Sequence, residues 1–84
     1  MTKTVALLVG GWSAEREVSL MKGKDVHEAL EQSGYRVVRI EVTRDLAKLL
    51  ADLTATKPNV AFNNLYGQGG EDGVIQGVLE TLQL

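Results

Sequence analysis

Cysteine is absent from these 84 residues, which excludes disulfide staples, thiolate metal sites and thiol nucleophiles. A single histidine rules out His-rich metal cages, and a single proline leaves long stretches free to form uninterrupted elements. Charge of one sign is also lacking: nine Lys and Arg against eleven Asp and Glu give a net charge of −2. That balance offers no electrostatic footprint for nucleic acid or an anionic membrane. The apolar run Val5 to Val9 is too short, and too soon interrupted by Gly10-Gly11, for a leader sequence or a transmembrane helix. A cytoplasmic location is the default expectation. A chain of 84 residues makes at most one small domain and has no room for a large enzyme core. Hydrophobic residues at 44% and charged residues at 24% fit an ordinary globular chain, and nine glycines are the one compositional oddity.

Thr4 to Val9 is continuously apolar, as suits a strand buried on both faces, and Gly10-Gly11 ends it. Ser13 stands where a helix N-cap belongs, with Glu15 in the first turn and Gly34 at a C′ position. On this helix Val18, Met21, Asp25 and Ala29 mark one stripe, while Ser19, Gly23, Val26 and Leu30 mark a second, smaller one suited to close packing on a sheet. Tyr35 to Val42 reads as a second strand with Val38, Ile40 and Val42 on one face. Its other face is partly polar, which places it at or near an edge. Leu46, Leu49, Leu50 and Leu53 form a short amphipathic helix that ends before Lys57-Pro58. Asn59 to Phe62 is a brief third strand, and Val74, Ile75, Val78, Leu79 and Leu82 are a third helical stripe.

The order βαβαβα implies an α/β fold, a three-layer open parallel sheet of Rossmann-like kind with right-handed crossovers. Parallel strands end at one edge, so Gly10 to Glu17 and Asn63 to Asp72 form two glycine-rich loops where such sheets bind ligands. The last helix has no fourth strand after it, and the sequence reads as truncated before one.

The first loop lacks the G-x-G-x-x-G spacing and the Walker A Lys, so neither a dinucleotide nor a P-loop phosphate is expected. Glu15 occupies the position an anion would take, and would suit an ammonium group instead. Glu15 and Glu17 have a plainer reading as well, complementing the positive end of the helix. In the second loop Gly67, Gly69 and Gly70 shape the backbone or form a mobile connection. Asp72 is better read as a helix cap than as half of a metal pair with Glu71, and no metal site is expected. His27 lies mid-helix with no partners that suggest catalysis. Trp12 and Tyr66 either wall a small pocket or pack ordinarily.

Two segments carry a family likeness. Leu8 to Leu20, which reads LVGGWSAEREVSL, resembles the N-terminal signature of D-alanine–D-alanine ligases, and Gly69 to Glu80, GGEDGVIQGVLE, resembles their second one. The likeness covers nearly the whole chain and is thinnest from Val42 to Pro58. It implies the ATP-grasp superfamily, with residues 1–84 forming the pre-ATP-grasp N-terminal domain, incomplete here, and the ATP-grasp central and C-terminal domains absent. Such enzymes use ATP and Mg2+ to phosphorylate a first D-alanine, and the amine of a second attacks the acylphosphate to give a dipeptide for peptidoglycan.

By likeness, Glu15 binds the ammonium of the first D-alanine, Val18 borders that pocket, and Tyr66-Gly67 lies near it, with Gly10, Gly11, Ser13, Gly69 and Gly70 shaping the loops. No catalytic residue, ATP site or Mg2+ ligand falls within this segment, which is expected to be inactive alone. The implied partners are D-alanine, the remaining ligase domains and a second copy in a homodimer. Tyr66 stands where the family usually has histidine, so any role that needs an imidazole is lost. Gln68 likewise replaces a usual arginine. The alternative reading is a stand-alone amino-acid-binding or regulatory module derived from the same domain.

Overall fold

β1, Thr4–Gly10, is the middle strand of a three-stranded parallel sheet, and its side chains are buried on both faces from Val5 onward. Its neighbours are β2, Arg36–Val42, and β3, Val60–Asn63, in the order β2-β1-β3. The register pairs Thr4 with Arg36 and Gly10 with Val42 on one side, and Val5 with Val60 and Leu8 with Asn63 on the other. β2 lies at an edge, as its half-polar pattern implies. The computed structural model describes residues 2–66, and the helical stripe read from Val74 to Leu82 lies outside them. The βαβαβ part of the expected order is present. None of its helices is long and apolar enough to cross a membrane.

The two helices cover opposite faces. α2, Leu46–Thr56, lays Leu49 and Leu53 on Ala6, Leu8, Ile40 and Val42, with Leu65 closing the cluster. α1, Arg16–Gln32, packs on the face that carries Val9, and its buried residues are Ser19 and Gly23. The small-residue stripe is therefore the packing face, and the sheet comes close to the helix backbone.

The helix ends have local causes. Asp45 caps α2 by accepting from the Lys48 N–H at 3.0 Å. α1 closes in a Schellman motif: Gly34 donates to the Glu31 carbonyl at 3.0 Å and Tyr35 to the Leu30 carbonyl at 3.1 Å. Gly34 takes φ +94°, the left-handed backbone that this motif needs. The start of α1 differs from the sequence expectation. Glu15, not Ser13, is the N-cap, and it makes no side-chain capping bond. The Ser13 hydroxyl is engaged outside the helix, and that tertiary contact overrides local capping. β3 is displaced by one residue, because Asn59 pairs with Thr4 ahead of the strand through both its backbone N–H and its side chain.

Candidate functional site

The carboxyl ends of β1 and β3 bring the two loops together. Gly10 and Gly11 turn the chain out of β1 with φ of +92° and +83°, a conformation that L side chains rarely adopt. Their N–H groups are already committed: Gly10 donates to Ser19 Oγ at 2.9 Å and Gly11 to the Val42 carbonyl at 2.8 Å. With both amides satisfied internally and Glu15 at the helix start, this turn does not fit the phosphates of ATP. Nor do the described residues include a group of three or more His, Cys, Asp or Glu able to hold a metal ion such as magnesium.

Ser13 joins the loops. Its hydroxyl donates to the Tyr66 carbonyl at 2.8 Å and accepts from the Glu15 N–H at 3.1 Å. One oxygen thus ties the backbone of Glu15 to that of Tyr66, although 50 residues separate them in sequence. Glu15 is exposed, and Val18 is half-buried in the first turn of α1. The Arg16 guanidinium pairs with Glu41 at the end of β2 and with Glu17 at 3.4 Å, fastening the loop to the edge strand. Lys22 Nζ stands 5.5 Å from the centre of the Tyr66 ring, within cation–π range. Trp12 packs against the α2-side core, and both it and Tyr66 are partly buried. Gly67, Gln68, Gly69, Gly70, Glu71 and Asp72 lie outside the described residues.

Two further residues hold the loops together: Ser19, expected only as part of a packing stripe, and Asn64, to which the sequence assigns no role. Ser19 is fully buried and Asn64 nearly so, at 6% exposure. Ser19 Oγ donates to the Asn64 carbonyl at 2.5 Å, and Asn64 Nδ2 returns a bond to the Ser19 carbonyl at 3.2 Å. Asn64 also continues the sheet, its N–H donating to the Leu8 carbonyl at 3.0 Å. A serine in a small-residue stripe was the only signal in sequence.

No protein-family model matches the chain. Over its whole length it is similar to the N-terminal portion of D-alanine–D-alanine ligases. It is 58% identical over 84 residues to the D-alanine–D-alanine ligase of Xanthobacter autotrophicus, covering all of this chain and 26% of that protein. With the ligase of Afipia carboxidovorans it shares 60% identity over 78 residues, which is 93% of this chain and 24% of the relative. The crystal structure of the Bacillus anthracis D-alanine–D-alanine ligase complexed with ATP matches with a TM-score of 0.85 at 30% identity, across all of this chain and 27% of that one. The chain thus spans about a quarter of the length of the relatives it matches.

Proposed function

We propose that this chain is the N-terminal part of a D-alanine–D-alanine ligase and supplies one side of the first D-alanine site. The observation that carries the reading is likeness to such ligases along the full chain, including both site loops. Glu15, Val18, Tyr66 and Gly67 form this wall of the pocket, and Gly10, Gly11, Ser13, Gly69 and Gly70 shape its loops.

The residues at hand bind and orient; the chemistry of ligation belongs to the rest of the enzyme. Glu15 sits at the positive end of α1, and an arriving ammonium finds a negative partner there. Holding the amine leaves the substrate carboxylate pointing away from this segment, toward the domains that would activate it. ATP, with magnesium, would supply the phosphoryl group for that activation from those domains. The segment therefore has substrate-binding but no catalytic residues, and on its own it is inactive. Its partners in this reading are D-alanine, the remaining ligase domains and a second copy in a homodimer, in the cytoplasm.

The test is a chimera in which this chain replaces the matching segment of the Xanthobacter autotrophicus ligase. Glu15→Gln removes the charge and keeps the shape. Loss of a hydrogen bond between charged groups corresponds to roughly a 10- to 100-fold rise in KM for the first D-alanine. An unchanged KM would remove Glu15 from the site.

A further inference from the structure

Tyr66 and Asn64 are joined by a bond whose direction the surrounding network dictates. The atom of the Asn64 side chain 3.2 Å from the Ser19 carbonyl must be Nδ2, because a carbonyl can only accept. Oδ1 then faces the Tyr66 hydroxyl at 3.3 Å, and an amide oxygen can only accept as well. The phenol proton is therefore committed inward. What the Tyr66 oxygen has left to offer is lone pairs.

The amide cannot readily turn over. Ser19 has no exposed surface, and its hydroxyl is saturated by Gly10 on one side and the Asn64 carbonyl on the other. The Ser19 N–H bonds the Glu15 carbonyl at 3.0 Å, so the anchoring residue lies one helical turn behind the carboxylate-bearing one. A continuous chain of hydrogen bonds runs from the Glu15 backbone through Ser19 and Asn64 to the Tyr66 phenol. In a low-dielectric setting such bonds reinforce one another, and a flipped Asn64 would set two carbonyl oxygens face to face.

Resting on the reading of this edge as the first D-alanine site, we propose that Asn64, held by Ser19, is a positioning residue that fixes the Tyr66 phenol oxygen as an acceptor for the substrate ammonium group. Glu15 and Tyr66 then act together as two acceptors for one cation. A tyrosine free to rotate could equally donate to the substrate carboxylate; the Ser19–Asn64 pair removes that choice. Lys22 against the ring occupies one π face and leaves the oxygen as the point of contact.

The experiment is a double-mutant cycle in the Xanthobacter chimera, with the first-site KM for D-alanine and kcat measured for Tyr66→Phe, Asn64→Ala and the pair. Each single change is expected to raise KM about tenfold, the loss of one hydrogen bond to a charged group, with kcat altered by less than about threefold. The double variant should be no worse than Tyr66→Phe, because Asn64 acts through Tyr66. Additive effects, or a Tyr66→Phe enzyme with unchanged KM, would overturn the proposal while leaving an active chimera and the ligase reading intact. An inactive unmutated chimera would instead overturn both. Should Asn64→Ala fail to fold, Ser19→Ala takes its place in the cycle, and Tyr66→Phe by itself remains decisive.

Discussion

Gly23 lies against Val9 so closely that a Cβ at position 23 would stand 2.7 Å from Val9 Cγ1. Alanine is intrinsically better than glycine in a helix by about 1 kcal/mol, so propensity alone would favour the substitution. The contact decides otherwise, because Val9 is 1% exposed and its short branched side chain has no room to retreat. Overpacking of this kind costs about 1 to 3 kcal/mol. Gly23→Ala is expected to lower the urea midpoint, and Val9→Ala in the same chain to recover part of that loss. A midpoint that rises in Gly23→Ala would show that α1 is less tightly seated on the sheet.

Gly10 and Gly11 share a left-handed backbone but differ in surroundings. A Cβ at Gly10 would meet Glu41 Cγ at 3.0 Å and the Val42 carbonyl at 3.4 Å, whereas at Gly11 it would make only an ordinary 3.7 Å contact with Leu65. Both alanine variants carry conformational strain of about 1 to 2 kcal/mol. Gly10→Ala adds crowding beside the Arg16–Glu41 ion pair. Denaturant titration should rank Gly10→Ala as the more damaging, and the reverse order would contradict the turn geometry.

Lys48 supplies a pH dependence. The hydrogen bond that Lys48 Nζ donates to the Asp52 carboxylate at 2.9 Å, then the charge of Asp52, raises the Lys48 ammonium above its ordinary 10.5. A cation whose folded pKa is raised adds stability that is fully present below the unfolded value and is lost as pH climbs through the folded one. The Tm difference between the native chain and Asp52→Asn should therefore persist at neutral pH and shrink above 10.5. Because the ammonium is fully exposed, the difference should also be small and fall with added salt. A difference that grows at alkaline pH would reverse the sign of this coupling.

Much of the architecture is legible in sequence where one physical pressure dominates. The unbroken apolar run of β1 can only be a doubly covered strand, and the Leu46, Leu49 and Leu53 spacing can only be satisfied by a helix with one face on the sheet. Leu50, counted in the same stripe, is 39% exposed, because it stands at the margin of that face. The site is less legible. Ser13 reads as a cap by its neighbours in sequence, yet its hydroxyl is claimed by Tyr66, a contact that no local pattern encodes. Ser19 and Asn64 meet only once α1 is seated on β1 and β3 is in register, so their pairing is a product of tertiary packing. Gly23 sets the closeness of that seating and stands behind the Ser19–Asn64 bonds.

A chain that is the substrate-side part of a ligase depends on the remaining domains for D-alanine-dependent phosphate release. The isolated 84-residue chain should release none with ATP, magnesium and D-alanine, whereas the chimera with the remaining Xanthobacter ligase domains should release phosphate and form the dipeptide. Phosphate release by the isolated chain, or a folded chimera that makes no dipeptide, would show that this chain is not the substrate-side part of such a ligase.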